Sequence, residues 1–375
     1  MGGPALSLSS SPGDIRDEVD ARHTSANRPS RWVVVSLVAA FLALAVAAVL
    51  AIVPLPYAVM SPGPVTDTLG SLGDQKIIDV AGEGQHPEKG KLFFTTVRVQ
   101  GGPGTRVTAY DLLGAALDDS RDVYPQDEIF PPSSTRESVQ QENAAEMEGS
   151  QQTAAAVAER ALGHDVPVSV LVAQVLKGSP SDGLIEADDV LVSVDGIPAS
   201  SPEAVRTAVR AHKPGDEVWV TVRRAGSEVT VAPRAADTRG VATIGVVMSG
   251  RYQLPIPVTI HAGAVGGPSA GLMFSLGIYD VLTDGNLTGG ASIAGTGTIA
   301  DDGAVGPIGG IRQKVVGARE AGAAWFLTPA DNCADLKGHV PAGLHLVKVA
   351  TFSDAKQAVE SIAAGSTDTL SSCGF

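Results

Sequence analysis

One apolar run sets the organisation of the chain. From Trp32 to Val53 the sequence reads WVVVSLVAAFLALAVAAVLAIV, 22 residues with one serine and no charge. As a helix rising ~1.5 Å per residue, such a run reaches across a bilayer core of ~30 Å. A cleaved signal peptide is the competing reading, but its apolar region is usually about 7–15 residues long, which favours a retained anchor at 32–53. Arg16, Arg22, Arg28 and Arg31 precede the run, and no Lys or Arg follows before Lys76. That asymmetry predicts a cytoplasmic tail over 1–31 and places everything after Pro54 outside the cytoplasm, at the cell membrane. Rich in Ser, Gly, Pro and mixed charge, the tail reads as disordered.

Beyond the anchor the pattern changes several times. Tyr57 to Pro64 is a Pro/Gly stretch that suits a stiff exit better than a regular element. Lys91 to Gln100, KLFFTTVRVQ, is dense in β-branched and aromatic residues between Gly90 and Gly101, which predicts a strand. Asp118 to Arg136, with Pro125, Pro131 and Pro132, reads as an exposed loop, and the Ala/Glu/Gln-rich Ser138 to Leu162 as a helix. From Val166 to Arg234 short strands alternate with one helix, Pro202 to Ala211. After Pro257 come a strand (PVTIHAGAV), the turn Gly266 to Gly271, and an apolar helix through Leu282. Ile311, Lys314, Val315 and Ala318 fall at i, i+3, i+4 and i+7, one face of a further helix, with Arg312, Gln313, Arg319 and Glu320 on others.

Composition narrows the classes. The 375 residues carry 41 acids against 27 bases, a net charge of -14, with 44% hydrophobic and only 4% aromatic residues. The 43 Gly and 24 Pro stay below the ~25–30% that marks low complexity, so a packed core is expected. The acid excess argues against nucleic acid as a partner. Two cysteines make neither a disulfide scaffold nor a four-sulfur zinc site, and no metal or other cofactor is expected.

Two residue types stand out as chemistry. Gly267 to Gly271 fit G-x-S-x-G between a strand and a helix, which places Ser269 and Ala270 at a helix start where unpaired N–H groups face a developing oxyanion. An N-cap serine with permissive glycines is the plainer reading of the same pattern. A nucleophilic serine needs a base. His261 lies upstream; His339 and His345 lie downstream, with Asp301, Asp302 and Asp331 as orienters, in the order of an α/β-hydrolase. The preceding residues do not read as that fold's sheet. Lys314 is the one charge on its apolar stripe, where desolvation lowers an ammonium's pKa and frees the amine to take a proton. A snorkelling lysine is the alternative.

The stretch around Gly178-Ser179-Pro180, Gly183-Leu184, Asp188-Asp189-Val190-Leu191, Val194-Asp195-Gly196 and Pro214-Gly215-Asp216 resembles a bacterial PDZ domain, about 70 residues of it. Such domains take an extended peptide as an added strand. The Gly-rich loop that receives a peptide carboxylate is not evident; Gly163-His164-Asp165-Val166 occupies its approximate place. Further on, GPSAG at 267–271, Ala294-Gly295-Thr296-Gly297-Thr298-Ile299, Gly306 to Lys314 (GPIGGIRQK) and Leu327 to Asn332 (LTPADN) resemble the proteolytic domain of the Lon family over roughly 95 residues. The resemblance implies Ser269 as nucleophile, Lys314 as general base and Thr296 as a support for the lysine. Val265-Gly266 and Thr298 depart from the polar and acidic residues of many members. Gly90 to Thr95 and the helix Met147 to Leu162 look like the opening of the same domain.

The resemblance implies an α+β chain with a Lon-type (ribosomal S5 domain 2-like) domain into which a PDZ-like unit is inserted. The expected parts are an outer N-terminal segment at 54–163, the PDZ-like domain at 164–236, the proteolytic domain at 237–364 and a C-terminal tail at 365–375. It further implies an ATP-independent, membrane-anchored serine endopeptidase acting on peptides or unfolded proteins. Gly90-Lys91 is the only Gly-Lys pair, with no glycine five places earlier and Leu92 where Ser or Thr binds magnesium, so no nucleotide partner is expected. Cys333 and Cys373 lie on the oxidising side; a bond between them, against two separate thiols, ties the tail to the turn after Pro329. A non-catalytic PDZ adaptor on a Lon-like scaffold is the rival, and a small-molecule kinase's phosphate loop a third reading of GGPSAG. A homo-oligomer is left open.

Overall fold

The structure, a computed structural model, describes residues 30–80, 90–238, 240–283 and 286–375. The expected disordered tail, except for its last two residues, lies outside them. The chain divides into two units, Met1–Ile52 and Val53–Phe375. In the first, helix α1 (Arg31–Ile52) has no buried residue, and its mean hydropathy is 3.0. By length and composition it is sufficient to cross a membrane, a test that a signal sequence near the N-terminus also passes.

The second unit opens with strand β1 (Tyr57–Asp67), a small hairpin of β2 (Ser71–Leu72) and β3 (Gln75–Lys76), then β4 (Ile78–Val80) and β5 (Lys91–Gln100). β1 pairs antiparallel with β5, so Tyr57 to Pro64 is strand rather than the irregular exit expected. Pro62 and Pro64 lack the N–H that a ladder requires; the register shifts between Pro62 and Val65, and the prolines sit in that bulge. Helix α2 (Ala109–Ala116), β6 (Asp122–Pro125) and the single turn α3 (Gln126–Ile129) follow. The expected loop at 118–136 therefore contains a strand: β6 takes the other edge of β1, from Tyr57↔Pro125 to Met60↔Asp122. Helix α4 (Arg136–Ala161) starts from Thr135, whose side chain and that of Ser138 cap each other's backbone N–H.

Next come β7 (Val168–Val175), β8 (Val190–Val194), β9 (Ile197–Pro198), α5 (Pro202–Arg210), β10 (Val220–Arg224) and β11 (Ser227–Val231). A separate hairpin, β12 (Ala236–Thr238) with β13 (Val241–Thr243), leads to β14 (Val246–Tyr252). The sheet order is β11-β10-β8-β7-β14, so the PDZ-like sheet claims residues to Tyr252, beyond the boundary expected at 236. Its core is valine-rich, with Val170, Val172, Val218, Val220 and Val222 fully buried.

The chain then returns through β15 (Val258–Ile260), α6 (Gly271–Val281), β16 (Ser292–Gly295), β17 (Thr298–Ile299), β18 (Val305–Gly306), α7 (Ile311–Glu320), β19 (Trp325–Pro329), β20 (His345–Val349) and α8 (Phe352–Ala363). The main sheet runs β20-β19-β16-β5-β1-β6, with β16 parallel to β5 and to β19. Strands from before and after the PDZ-like unit are thus neighbours, which makes that unit an insertion into one α+β body. A cluster of Leu92, Phe94, Leu272, Phe274 and Val359 joins β5, α6 and α8, and Ala154 and Ala158 bring in α4. A second cluster, Phe93, Ile311, Val315 and Phe326, binds α7 to the sheet. Largely apolar around its circumference, with Ser275 and Asp280 as its buried polar side chains, α6 suits this mostly buried place.

Candidate active site

The turn before α6 is held from behind by α4. Gly267, at φ +83, donates its N–H to the Asn143 carbonyl at 2.9 Å, and Ser150 Oγ donates to the Pro268 carbonyl at 3.0 Å. The Ser269 carbonyl accepts from the Gly297 N–H and from Thr296 Oγ1, each at 2.9 Å. Ser269 sits one residue before Ala270, the N-cap of α6, so the plainer N-cap reading does not hold. Among the described residues, neither the Ser269 nor the Ala270 N–H has a hydrogen-bond partner.

Helix α7 supplies the cation. Gly310, at φ +67, forms its N-cap, and a Cβ there would lie 2.7 Å from Met60 Sδ and Val97 Cγ1, so glycine lets α7 sit close against β1 and β5. Ile311, Lys314, Val315 and Ala318 are buried, as the stripe predicts. Gln313, expected on another face, is buried as well: its Nε2 donates to the Ser120 carbonyl and to Asp122 Oδ2. Lys314, 2% exposed, brings Nζ to 2.8 Å from Ser269 Oγ and 2.9 Å from Thr296 Oγ1. No carboxylate bonds to it among the described residues, and burial pushes its pKa down to about 7. An open cavity of about 640 Å³ reaches Ser269 and Lys314, walled by Met60, Leu72, Ile77, Val97 and Val265.

The other base candidates lie apart from Ser269 Oγ. His261 lines the cavity with Nε2 3.3 Å from Gln75 Nε2, and the His345 ring stacks on Trp325 at 4.8 Å. His339 lines a different cleft, with Arg319. Asp301 pairs with Arg160 at 2.8 Å, Asp302 accepts from the Ala304 N–H, and Asp331 lies in a short 3-10 turn. Cys333 and Cys373 are joined by a disulfide. Asn143 and Ser150 were not singled out from the sequence; the available hint was a small hydroxyl near Met147 and Ala154 on a helix face that turns out to be buried.

Family models match two parts of the chain: a "Lon protease (S16) C-terminal proteolytic domain" at residues 244–362 and a "PDZ domain" at 134–232. Residues 244–362 are thus similar to a Lon-type proteolytic domain. Among its relatives, Lon protease 1 of Sorangium cellulosum is 34% identical over 150 residues, 38% of this chain and 18% of that protein. Lon protease of Phenylobacterium zucineum is 39% identical over 94 residues, 24% of this chain and 12% of that protein. The chain thus spans less than a fifth of the length of these relatives. A solved PDZ domain, from the SdrC-like protein of Listeria monocytogenes, aligns at 21% identity over 21% of this chain and 85% of its own, with a TM-score of 0.20.

The PDZ-like unit has a groove of its own, about 460 Å³, between α5 and β14, lined by Leu176, Val205, Val209, Ile244, Val246 and Met248. Gly245, at φ +75, lines it in the turn before β14. The Gly163 to Val166 stretch is the connection from α4, with the His164 ring against Glu159 at 3.3 Å.

Proposed function

We propose that the chain is an ATP-independent, membrane-anchored serine endopeptidase that uses Ser269 and Lys314 as a catalytic dyad. The observation that carries this reading is an amine 2.8 Å from a serine hydroxyl, buried without a carboxylate and with its pKa brought to about 7. In neutral form Lys314 Nζ accepts the Ser269 proton as Oγ attacks a peptide carbonyl. The oxyanion faces the free Ser269 and Ala270 N–H groups at the start of α6. As the C–N bond breaks, Lys314 returns the proton to the departing amine, leaving the acyl ester on Ser269. Water then attacks with Lys314 as base, and Ser269 is regenerated. Thr296 supports the amine through its hydroxyl.

α1 supplies the anchor, and the arginines before it favour an N-terminus inside. The α5–β14 groove offers an extended peptide a free strand edge beside apolar pockets. Loose segments and unfolded chains, which such a site can take without prior unfolding, are the substrates. Ser269→Ala and Lys314→Ala assayed on unfolded casein test the reading: both are expected to be inactive, and full activity in either refutes the dyad.

A further inference from the structure

The C-terminal end of α4 is where the PDZ-like unit is fastened to the body. The Arg160 guanidinium donates to the Val166 carbonyl at 2.8 Å, on the way into β7. It also lies 5.8 Å from the centre of the Tyr252 ring, the last residue of β14. Val168 and Tyr252 are cross-strand partners, so both strands at the groove edge end on this one side chain. The neighbouring Glu159 accepts from the Ile256 N–H at 3.2 Å and so holds the way out. Arg160 reaches the other way too: Nη1 donates to Asp301 Oδ1 at 2.8 Å and to the Asp301 carbonyl at 3.0 Å.

Asp301 lies at the tip of the β17–β18 hairpin. The base of that hairpin is the site itself. On one side Thr296 and Gly297 hold the Ser269 carbonyl; on the other Gly306 leads through Gly310 into α7 and Lys314. We propose that Arg160 is a positioning residue that ties the peptide-accepting edge of the PDZ-like sheet to the turn carrying Ser269. This rests on the dyad reading. A peptide added along β14 then bears on Tyr252, Arg160, Asp301 and the hairpin in turn, a contiguous set of contacts able to carry coupling.

The test uses the full chain in detergent micelles, with a fluorogenic tetrapeptide for kcat and KM and a fluorophosphonate for the rate of Ser269 labelling. Arg160→Ala is expected to lower kcat and labelling about two- to thirty-fold with KM nearly unchanged. Because a loosened hairpin admits water to Lys314, the acid limb of its pH profile moves above the wild-type position near 7. Arg160→Lys, which can still reach Asp301, recovers part of the rate. Tyr252→Leu, on the PDZ-like side, lowers the same rates and is non-additive with Arg160→Ala. A folded Arg160→Ala protein with wild-type kcat and an unmoved acid limb overturns the proposal, as does strict additivity with Tyr252→Leu. A wild-type chain that neither cleaves nor labels at Ser269 refutes the dyad instead, and the inference goes with it.

Discussion

Lys314 in the Lon-like body and Asp189 in the PDZ-like unit are equally buried, each 2% exposed, yet they meet burial in opposite ways. Asp189 faces a matching charge: Arg224 donates from Nε at 2.8 Å and from Nη2 at 2.6 Å, and the Glu186 N–H adds a third bond. Those bonds to Arg224 hold its carboxyl below the usual carboxylate range, so it stays ionised. Among the described residues Lys314 bonds to two hydroxyls and no carboxylate, and burial pushes it toward the neutral amine. A buried charge with a fork-shaped counter-ion becomes a fixed strut. Without one it becomes a base near neutral pH. Equal burial therefore says little about role; the chemistry of the partners decides it.

The sharpest way to break this contrast is to remove the amine. Lys314→Met keeps an apolar stem and is expected to lower casein cleavage by about 10²–10⁴-fold, as loss of a general base does. Ser269→Ala should abolish it and fluorophosphonate labelling together. The second test separates the two groups by pH. On the proposed dyad cleavage needs neutral Lys314, so kcat/KM should fall about tenfold per unit below about 7, a hundredfold by pH 5. The Asp189 contribution runs the other way in sign and window. Its folded pKa lies below the ordinary value of 3.8, so its stabilisation is complete above that value and lost only as pH falls below it. At pH 5 the PDZ-like unit should remain folded, by circular dichroism, while the site is silent.

How far such a contrast is legible in sequence depends on how local its causes are. The Lys314 stripe and the GPSAG turn are each written within a dozen residues, and both appeared where periodicity put them. The hold of Asn143 and Ser150 on that turn was not legible, because it joins positions more than a hundred residues apart. β1 was missed because two prolines disguised a strand whose bulge tolerates them. The membership of β14 was not legible for a related reason. Period-two alternation reports a strand but not its partner, and only pairing with β7 reveals which sheet owns it.

The third test acts on Asp189 alone. Asp189→Ala strips two bonds from Arg224, which keeps Glu186 Oε1 and the Leu184 carbonyl, and leaves the Glu186 N–H without its acceptor; the expected cost is about 1–2 kcal/mol. Urea unfolding followed by Trp219, the residue before β10, reads the loss. Cleavage of a tetrapeptide by the folded protein should be unchanged. A large fall in that cleavage would mean that the strut also serves the site, and the division of roles would collapse.

The smallest expected effect probes why hydroxyls, and not a carboxylate, surround the amine. Thr296→Val keeps the β-branched shape but deletes the group that receives a bond from Lys314 Nζ and donates one to the Ser269 carbonyl. One net hydrogen bond is worth about 1 kcal/mol, so kcat should drop roughly five- to tenfold. KM should hold, because Thr296 lies outside the cavity wall. Thr296→Ser keeps the hydroxyl and should stay near wild type. The pH profile adds a sign. A hydroxyl oxygen that accepts from nitrogen favours the ammonium slightly, so its loss should move the acid limb a little below 7 even as the rate falls. A limb that moved upward would mean that Thr296 keeps the amine dry rather than aimed.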